Sequence, residues 1–175
     1  NSFADTYGAH REYVELNIAE MAKLNDYCKD RGITFFATPF DFESLDDLEK
    51  LNLPFYKVAS ADVLHTPFLE AISRTGKNVI LSTGCSTYID IERAISCFKR
   101  NKLAILHCTA AYPAPVESMN LNCIPELIKK FPNHKIGISD HENGIDAVSI
   151  AYMLGARVFE KHFTLNRADK GTDHK

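Results

Sequence analysis

The chain has 175 residues, of which 45% are hydrophobic, and its formal net charge is -3 at pH 7. It can therefore bury the core of one domain, and its interspersed charges give no basic patch for a nucleic-acid or anionic membrane partner. No apolar run reaches the ~20 residues that span a bilayer. The 5 cysteines have no C-x-x-C spacing, which favours reduced thiols in a cytoplasmic protein.

Strand-like apolar runs alternate with helical patterns along the chain. An amphipathic helix is predicted over residues 8–31 and closed by Gly32. Repeated strand-then-helix units are typical of a parallel sheet with helical crossovers. The predicted strands are 33–38, 55–60, 78–83, 103–109, 135–141 and 157–164, with helices near 43–51, 67–75, 88–100, 121–131 and 144–154.

The predicted strands are apolar on both faces, but each finishes in polar side chains. In a (β/α)8 barrel the carboxyl ends of the strands form the rim that carries the active site. An open doubly wound sheet would bind ligands there too, but the sequence contains neither a dinucleotide-binding glycine motif nor a P-loop. We therefore predict an α/β fold of the (β/α)8 TIM barrel type, with six of its eight strands in this chain.

The last two predicted strands end in histidine, at His141 and His162. Each imidazole alone could be an ordinary hydrogen-bonded strand end. On consecutive strands, the two could provide neutral nitrogen ligands for one divalent metal ion. Because side chains alternate along a strand, the adjacent Asp140 and Lys161 are predicted to point away, toward the helices or the barrel wall.

Motifs at six predicted strand ends resemble the sialic acid synthase family, in that family's order and over nearly the whole chain. The resemblance implies a transferase that condenses phosphoenolpyruvate with N-acetylmannosamine or its 6-phosphate, giving N-acetylneuraminic acid and phosphate. It also implies a divalent metal, Mn²⁺ or alternatively Mg²⁺, and a homodimeric full-length protein. The motifs are Phe35–Asp41, Phe55–Ser60, Ile80–Gly84, Leu106–Pro115, Gly137–His141 and Glu160–Thr164.

The resemblance also implies residue roles. His141 and His162 match metal ligands, while Lys57 and Asp62 match catalytic positions, although the family often has glutamate where this chain has Asp62. Phosphoenolpyruvate is strongly anionic, so its site must supply cations and hydrogen-bond donors at one rim. The positions that match substrate-binding residues are Thr38, Lys57, Ser60, Ser82 and Ser139 for phosphoenolpyruvate, and Tyr112 and Asp173 for the acceptor sugar.

Several alternatives remain open at this stage. Pseudaminic and legionaminic acid synthases share these motifs and use a dideoxy acceptor. A Schiff-base aldolase with Lys57 or Lys161 as nucleophile is a second reading, and a non-catalytic sugar-binding fragment is a third. The family's first two barrel strands, which carry a catalytic glutamate and a lysine, and its C-terminal antifreeze-like domain have no counterpart in these residues. We therefore expect the 175-residue chain alone to be inactive.

Overall fold

A computed structural model describes residues 3–171 and 174 of the chain. Strands and helices alternate from residue 55 onward, and short 3-10 turns lie at Ser60–Asp62 and Val116–Ser118. None of the helices in the described part is long and apolar enough to cross a membrane. In chain order the elements are α1 (Tyr7–Val14), α2 (Ile18–Asp30), α3 (Phe42–Glu49), β1 (Phe55–Val58), α4 (Thr66–Arg74), β2 (Asn78–Ser82), α5 (Tyr88–Ser96), β3 (Leu103–Cys108), α6 (Cys123–Lys130), β4 (Lys135–Asp140), α7 (Asp146–Met153) and β5 (Val158–Lys161).

The opening amphipathic segment forms two helices, so the prediction of a single helix over 8–31 is wrong. Asn17 interrupts it with extended backbone, and its side chain accepts hydrogen bonds from the backbone N–H groups of Ala19 and Glu20. The Glu20 carboxylate accepts the Asn17 N–H in return, which completes a capping box. The chain therefore starts a new helix at Ile18.

All five strands are parallel and lie in the order β1-β2-β3-β4-β5, so each helical crossover leads to the adjacent strand. The prediction of a sixth strand over 33–38 is wrong, because that segment contributes only one isolated bridge, from Ala37 to Tyr56. Among the described residues it has a strand neighbour on one side only, and its Ile33 is exposed. A single bridge at a sheet edge does not make a continuous ladder.

One face of the sheet is apolar and covered by helices. Tyr56 and Val58 of β1 lie in a buried cluster with Phe68 of α4, and Ile138 of β4 lies in a second buried cluster with Leu127 of α6. Alternation along each strand then sends the intervening side chains to the opposite face. That face carries Lys57, Ser82, Cys108, Ser139 and Glu160.

The second face of the sheet is concave. β1 and β5 are the two edges of the five-stranded sheet, yet Lys57 Nζ lies 3.6 Å from Glu160 Oε1. In a flat sheet, four steps of about 4.8 Å would hold these strands roughly 19 Å apart, beyond the reach of the two side chains. The sheet is therefore curled into a half-barrel, with Lys57 and Glu160 on its inner face.

Gly137 sits on the concave face of β4, where a Cβ atom would collide with the Val158 carbonyl oxygen and approach Leu106 Cδ2 to 2.6 Å. Because backbone cannot move aside cheaply, we expect Gly137→Ala to lower the free energy of unfolding by about 3 kcal/mol in urea titrations. Gly8→Ala is the matched control, since nothing lies within 4 Å of its would-be Cβ. Equal effects of the two substitutions would contradict the close packing of β4 against β5.

Candidate active site

Lys57 is a buried cation on the concave face, near the carboxyl end of β1. It is 8% exposed, and its Nζ donates to the Val58 carbonyl at 3.1 Å besides pairing with Glu160. Burial lowers the pKa of the Lys57 ammonium, and the Glu160 carboxylate opposes that shift. The fold thus holds a positive charge out of water, as a site for an anionic substrate requires.

Glu160 is the important residue of this rim that sequence reasoning left without a role. Its Oε1 accepts a hydrogen bond from Ser139 Oγ at 2.6 Å and is also the atom that faces Lys57 Nζ. The register pairs Ser139 with Glu160 across β4 and β5, which places both side chains on the same face. Its spacing of two residues from His162 on the predicted strand 157–164 was the available signal, because alternate residues of a strand share a face.

The predicted hydroxyl residues lie along the same rim in different hydrogen-bonding states. Ser60, in the turn after β1, accepts the Gly84 N–H at 2.9 Å. Ser82 ends β2, and its Oγ is buried without a hydrogen-bond partner among the described residues. Thr38 is partly buried and follows the bridge residue Ala37. A buried, unpaired hydroxyl costs free energy, so Ser82 is a donor available to a ligand.

His141 and His162 come together after β4 and β5, with ring centroids 5.1 Å apart. The Nδ1 atom of His141 lies 2.8 Å from the Thr109 carbonyl oxygen. A carbonyl can only accept, so Nδ1 carries the proton and the Nε2 lone pair is the one that can bind a metal. The Tyr112 ring lies beside both, at 4.1 Å from His141 and 5.7 Å from His162.

The histidine pair borders a cavity of about 360 Å³ that Tyr112, Lys161 and Arg167 also line. No cluster of three or more His, Cys, Asp or Glu side chains suited to a metal ion occurs among the described residues. Two imidazole nitrogens beside an open cavity would suit a metal ion only with water or substrate in the remaining positions.

Asp140 and Lys161 pair with each other across β4 and β5. Their Oδ2 and Nζ atoms are 2.6 Å apart, and Asp140 is buried. Asp140 also accepts the Glu142 N–H, while Lys161 donates to the Glu142 carbonyl at 2.8 Å. This ion pair joins the ends of β4 and β5 just below the two histidines and keeps both charges satisfied.

Asp62 lies in the 3-10 turn after β1, where its Oδ2 is buried without a hydrogen-bond partner in the described part of the chain. Burial raises the pKa of the Asp62 carboxyl, and the nearby His65 partly opposes this. The carboxylate that faces Lys57 is that of Glu160. Asp173, predicted to bind the acceptor, lies outside the described residues.

The raised pKa of Asp62 makes its ionised form unfavourable in the folded state. Its contribution to stability is present below the ordinary pKa of 3.8 and is lost as the pH rises through the raised value. We therefore expect Asp62→Asn to increase the free energy of unfolding at pH 7 by on the order of 1 kcal/mol.

Denaturant titrations across the acidic to neutral range measure this effect, and the gain should shrink toward pH 3.5. Asp26→Asn is the control, since Asp26 is exposed and its carboxylate pairs at the surface with Lys29. If the increase in the free energy of unfolding did not depend on pH, the ionised form of Asp62 would not be what destabilises the folded protein.

Parallel strands, helical crossovers and a rim with a buried lysine, hydroxyls and two histidines are typical of α/β enzymes that bind anionic substrates at the carboxyl ends of their strands. The NeuB family model matches residues 1–175, and the chain belongs to that family.

Named relatives differ in their products. The chain is 35% identical to the N-acetylneuraminate-9-phosphate synthase of Drosophila melanogaster, covering 100% of this chain and 48% of that protein. It is 39% identical to the N,N'-diacetyllegionaminic acid synthase of Campylobacter jejuni, covering 93% and 50%. The chain therefore spans about half the length of the curated relatives it matches.

A solved structure supports the fold. The N-acetylneuraminic acid (sialic acid) synthetase of Leptospira borgpetersenii, in complex with citrate, superposes with a TM-score of 0.92 at 35% identity. The match covers 98% of this chain and 61% of that one. The half-barrel therefore corresponds to part of a larger synthetase chain.

Proposed function

We propose that the protein containing this chain condenses phosphoenolpyruvate with N-acetylmannosamine or its 6-phosphate, giving N-acetylneuraminic acid or its 9-phosphate and inorganic phosphate. The observation that carries this proposal is Lys57, a buried cation at a rim where the hydroxyls of Ser60, Ser82 and Ser139 also lie. The relative from Drosophila melanogaster is named for the phosphorylated product. In the complete protein the half-barrel is part of a (β/α)8 barrel, consistent with the larger synthetase chain that it matches.

The chain's own residues supply binding and proton transfer for this reaction. Lys57 and the rim hydroxyls bind the anionic groups of phosphoenolpyruvate, so that its C3 can attack C1 of the open-chain sugar. Water then adds at C2, and phosphate leaves by C–O cleavage. Asp62 is suited to move a proton, because burial raises the pKa of its carboxyl toward the working pH. Tyr112 forms a wall beside His141 for the acceptor.

His141 and His162 are the residues that would hold a divalent metal ion, Mn²⁺ or Mg²⁺. The hydrogen bond from His141 Nδ1–H to the Thr109 carbonyl fixes the tautomer and orients Nε2. A bound ion supplies a Lewis acid that polarises the aldehyde oxygen of the acceptor.

A dideoxy acceptor is the second candidate substrate, because the legionaminic acid synthase of Campylobacter jejuni is 39% identical to this chain. The Schiff-base alternative is weaker. Lys57 faces Glu160 and Lys161 pairs with Asp140, so neither Nζ can attack a carbonyl without first leaving an ion pair.

Phosphate release by the complete protein, with phosphoenolpyruvate and Mn²⁺, tests the function. The acceptors to compare are N-acetylmannosamine, its 6-phosphate and the dideoxy acceptors of legionaminic and pseudaminic acid synthesis. We expect turnover with one of the first two; turnover only with a dideoxy sugar would select the second candidate. A chelator-resistant adduct with pyruvate after borohydride reduction would support the aldolase, and no consumption of any acceptor would reject a synthase.

We expect His141→Ala and His162→Ala each to weaken Mn²⁺ binding at least about 100-fold, since each removes a direct ligand. Calorimetric titration of the metal-free complete protein with Mn²⁺ measures this directly. His134→Ala is the matched control, because His134 precedes β4 at the opposite end of the sheet and should leave Mn²⁺ affinity unchanged. Wild-type Mn²⁺ affinity in His141→Ala or in His162→Ala would show that the substituted histidine is not a metal ligand.

A further inference from the structure

The donors that an anionic substrate would use on the concave face already contact a carboxylate of the protein itself. Glu160 Oε1 accepts from Ser139 Oγ at 2.6 Å and lies 3.6 Å from Lys57 Nζ. The two donors come from β4 and β1, so this one oxygen atom is held between distant strands. A phosphate or carboxylate oxygen of a substrate would make the same two contacts in the same place.

Glu160 has room to leave this position, whereas Lys57 does not. The Lys57 side chain is 10% exposed and the Glu160 side chain 34% exposed. A buried ammonium left without an anion is unfavourable, so Lys57 needs a negative partner whenever the substrate is absent. A carboxylate at the water-facing side of the pair can provide it and then turn outward.

We propose that the Glu160 carboxylate takes the place of the substrate anion in the free protein. It contacts Lys57 and Ser139 there, and it is displaced from both when the substrate anion binds. This inference rests on the proposed function, because it assumes that phosphoenolpyruvate binds at Lys57 and Ser139. Glu160 is then a positioning residue. It keeps Lys57 charged and the Ser139 hydroxyl oriented, and it competes with the ligand.

Competition has a consequence that an ordinary structural role would not have. Glu160→Gln retains the shape and an oxygen that can accept from Ser139, but it removes the charge that faces Lys57. The free protein should become less stable, while anions should bind more tightly because they no longer displace a carboxylate. A residue that only supports the fold would weaken both stability and binding when it is changed.

The experiment is a calorimetric titration of the complete, metal-free protein with phosphoenolpyruvate and, separately, with inorganic phosphate. We expect Glu160→Gln to lower the Kd for phosphoenolpyruvate about tenfold and to lower the Tm of the free protein. The rise in Tm on adding phosphoenolpyruvate should be larger in the variant than in the wild type.

Glu142→Gln is the matched control, because it removes the same charge from the same rim. Glu142 Oε2 accepts the Ala147 N–H and is not the carboxylate that contacts Lys57 or Ser139. Its Kd for phosphoenolpyruvate should stay within about twofold of the wild type, since only a general field effect is lost. An equal decrease of the Kd for phosphoenolpyruvate in both variants would show that general charge repulsion, and not displacement of Glu160, opposes binding. That result would overturn the proposal.

A crystal structure of the complete wild-type protein with phosphate gives a second measurement that does not depend on a variant folding. Phosphate oxygens should contact Lys57 Nζ and Ser139 Oγ, and Glu160 should have left both. Phosphate bound while Glu160 keeps both contacts would overturn the proposal. Unchanged or weaker binding of phosphoenolpyruvate by Glu160→Gln would also overturn the proposal, but it would leave the proposed synthase function intact. A wild-type protein that binds neither phosphoenolpyruvate nor phosphate would reject both the proposal and the function.

Discussion

The ion pair between Lys57 and Glu160 joins the two edges of the sheet across its concave face. The two strands that carry them are separated by three others, so the pair exists only because the sheet is curled. The register of β4 and β5 brings Ser139 to the same carboxylate, and Lys57 is shielded from water. A buried charge is tolerated only with a partner, and here the partner comes from the opposite edge of the half-barrel.

Because side chains alternate along each strand, the residues that pack against the helices and the residues of the candidate site lie on opposite faces of the sheet. Outward side chains such as Tyr56, Val58 and Ile138 pack beneath the helices, and the residues between them face inward with their polar groups. The strand ends also contain features that a purely structural interior would avoid, because Ser82 Oγ and, in the turn after β1, Asp62 Oδ2 are buried without hydrogen-bond partners among the described residues. Locally unfavourable groups of this kind are expected where a ligand or a proton must be handled.

The rim has two chemically different halves. Lys57, the hydroxyls and Glu160 form an anion-binding half, and His141, His162 and Tyr112 form a half suited to a metal ion and an acceptor sugar. A condensation between an anionic donor and a neutral or phosphorylated aldehyde needs both halves next to each other. The two are adjacent here because Glu160 lies in β5 and His162 follows directly after the last residue of that strand, Lys161.

Local sequence patterns were sufficient for the strand and helix order and for the polar strand ends, because periodicity, caps and turn residues act within a few positions. They failed at 33–38, since a strand depends on neighbours that a sequence does not show, and at Asn17, whose cap divides the first helix. Only the tertiary structure could place Glu160 beside Lys57 and tie His141 to Thr109. Both contacts join residues far apart in the chain, and both depend on the register and curl of the sheet.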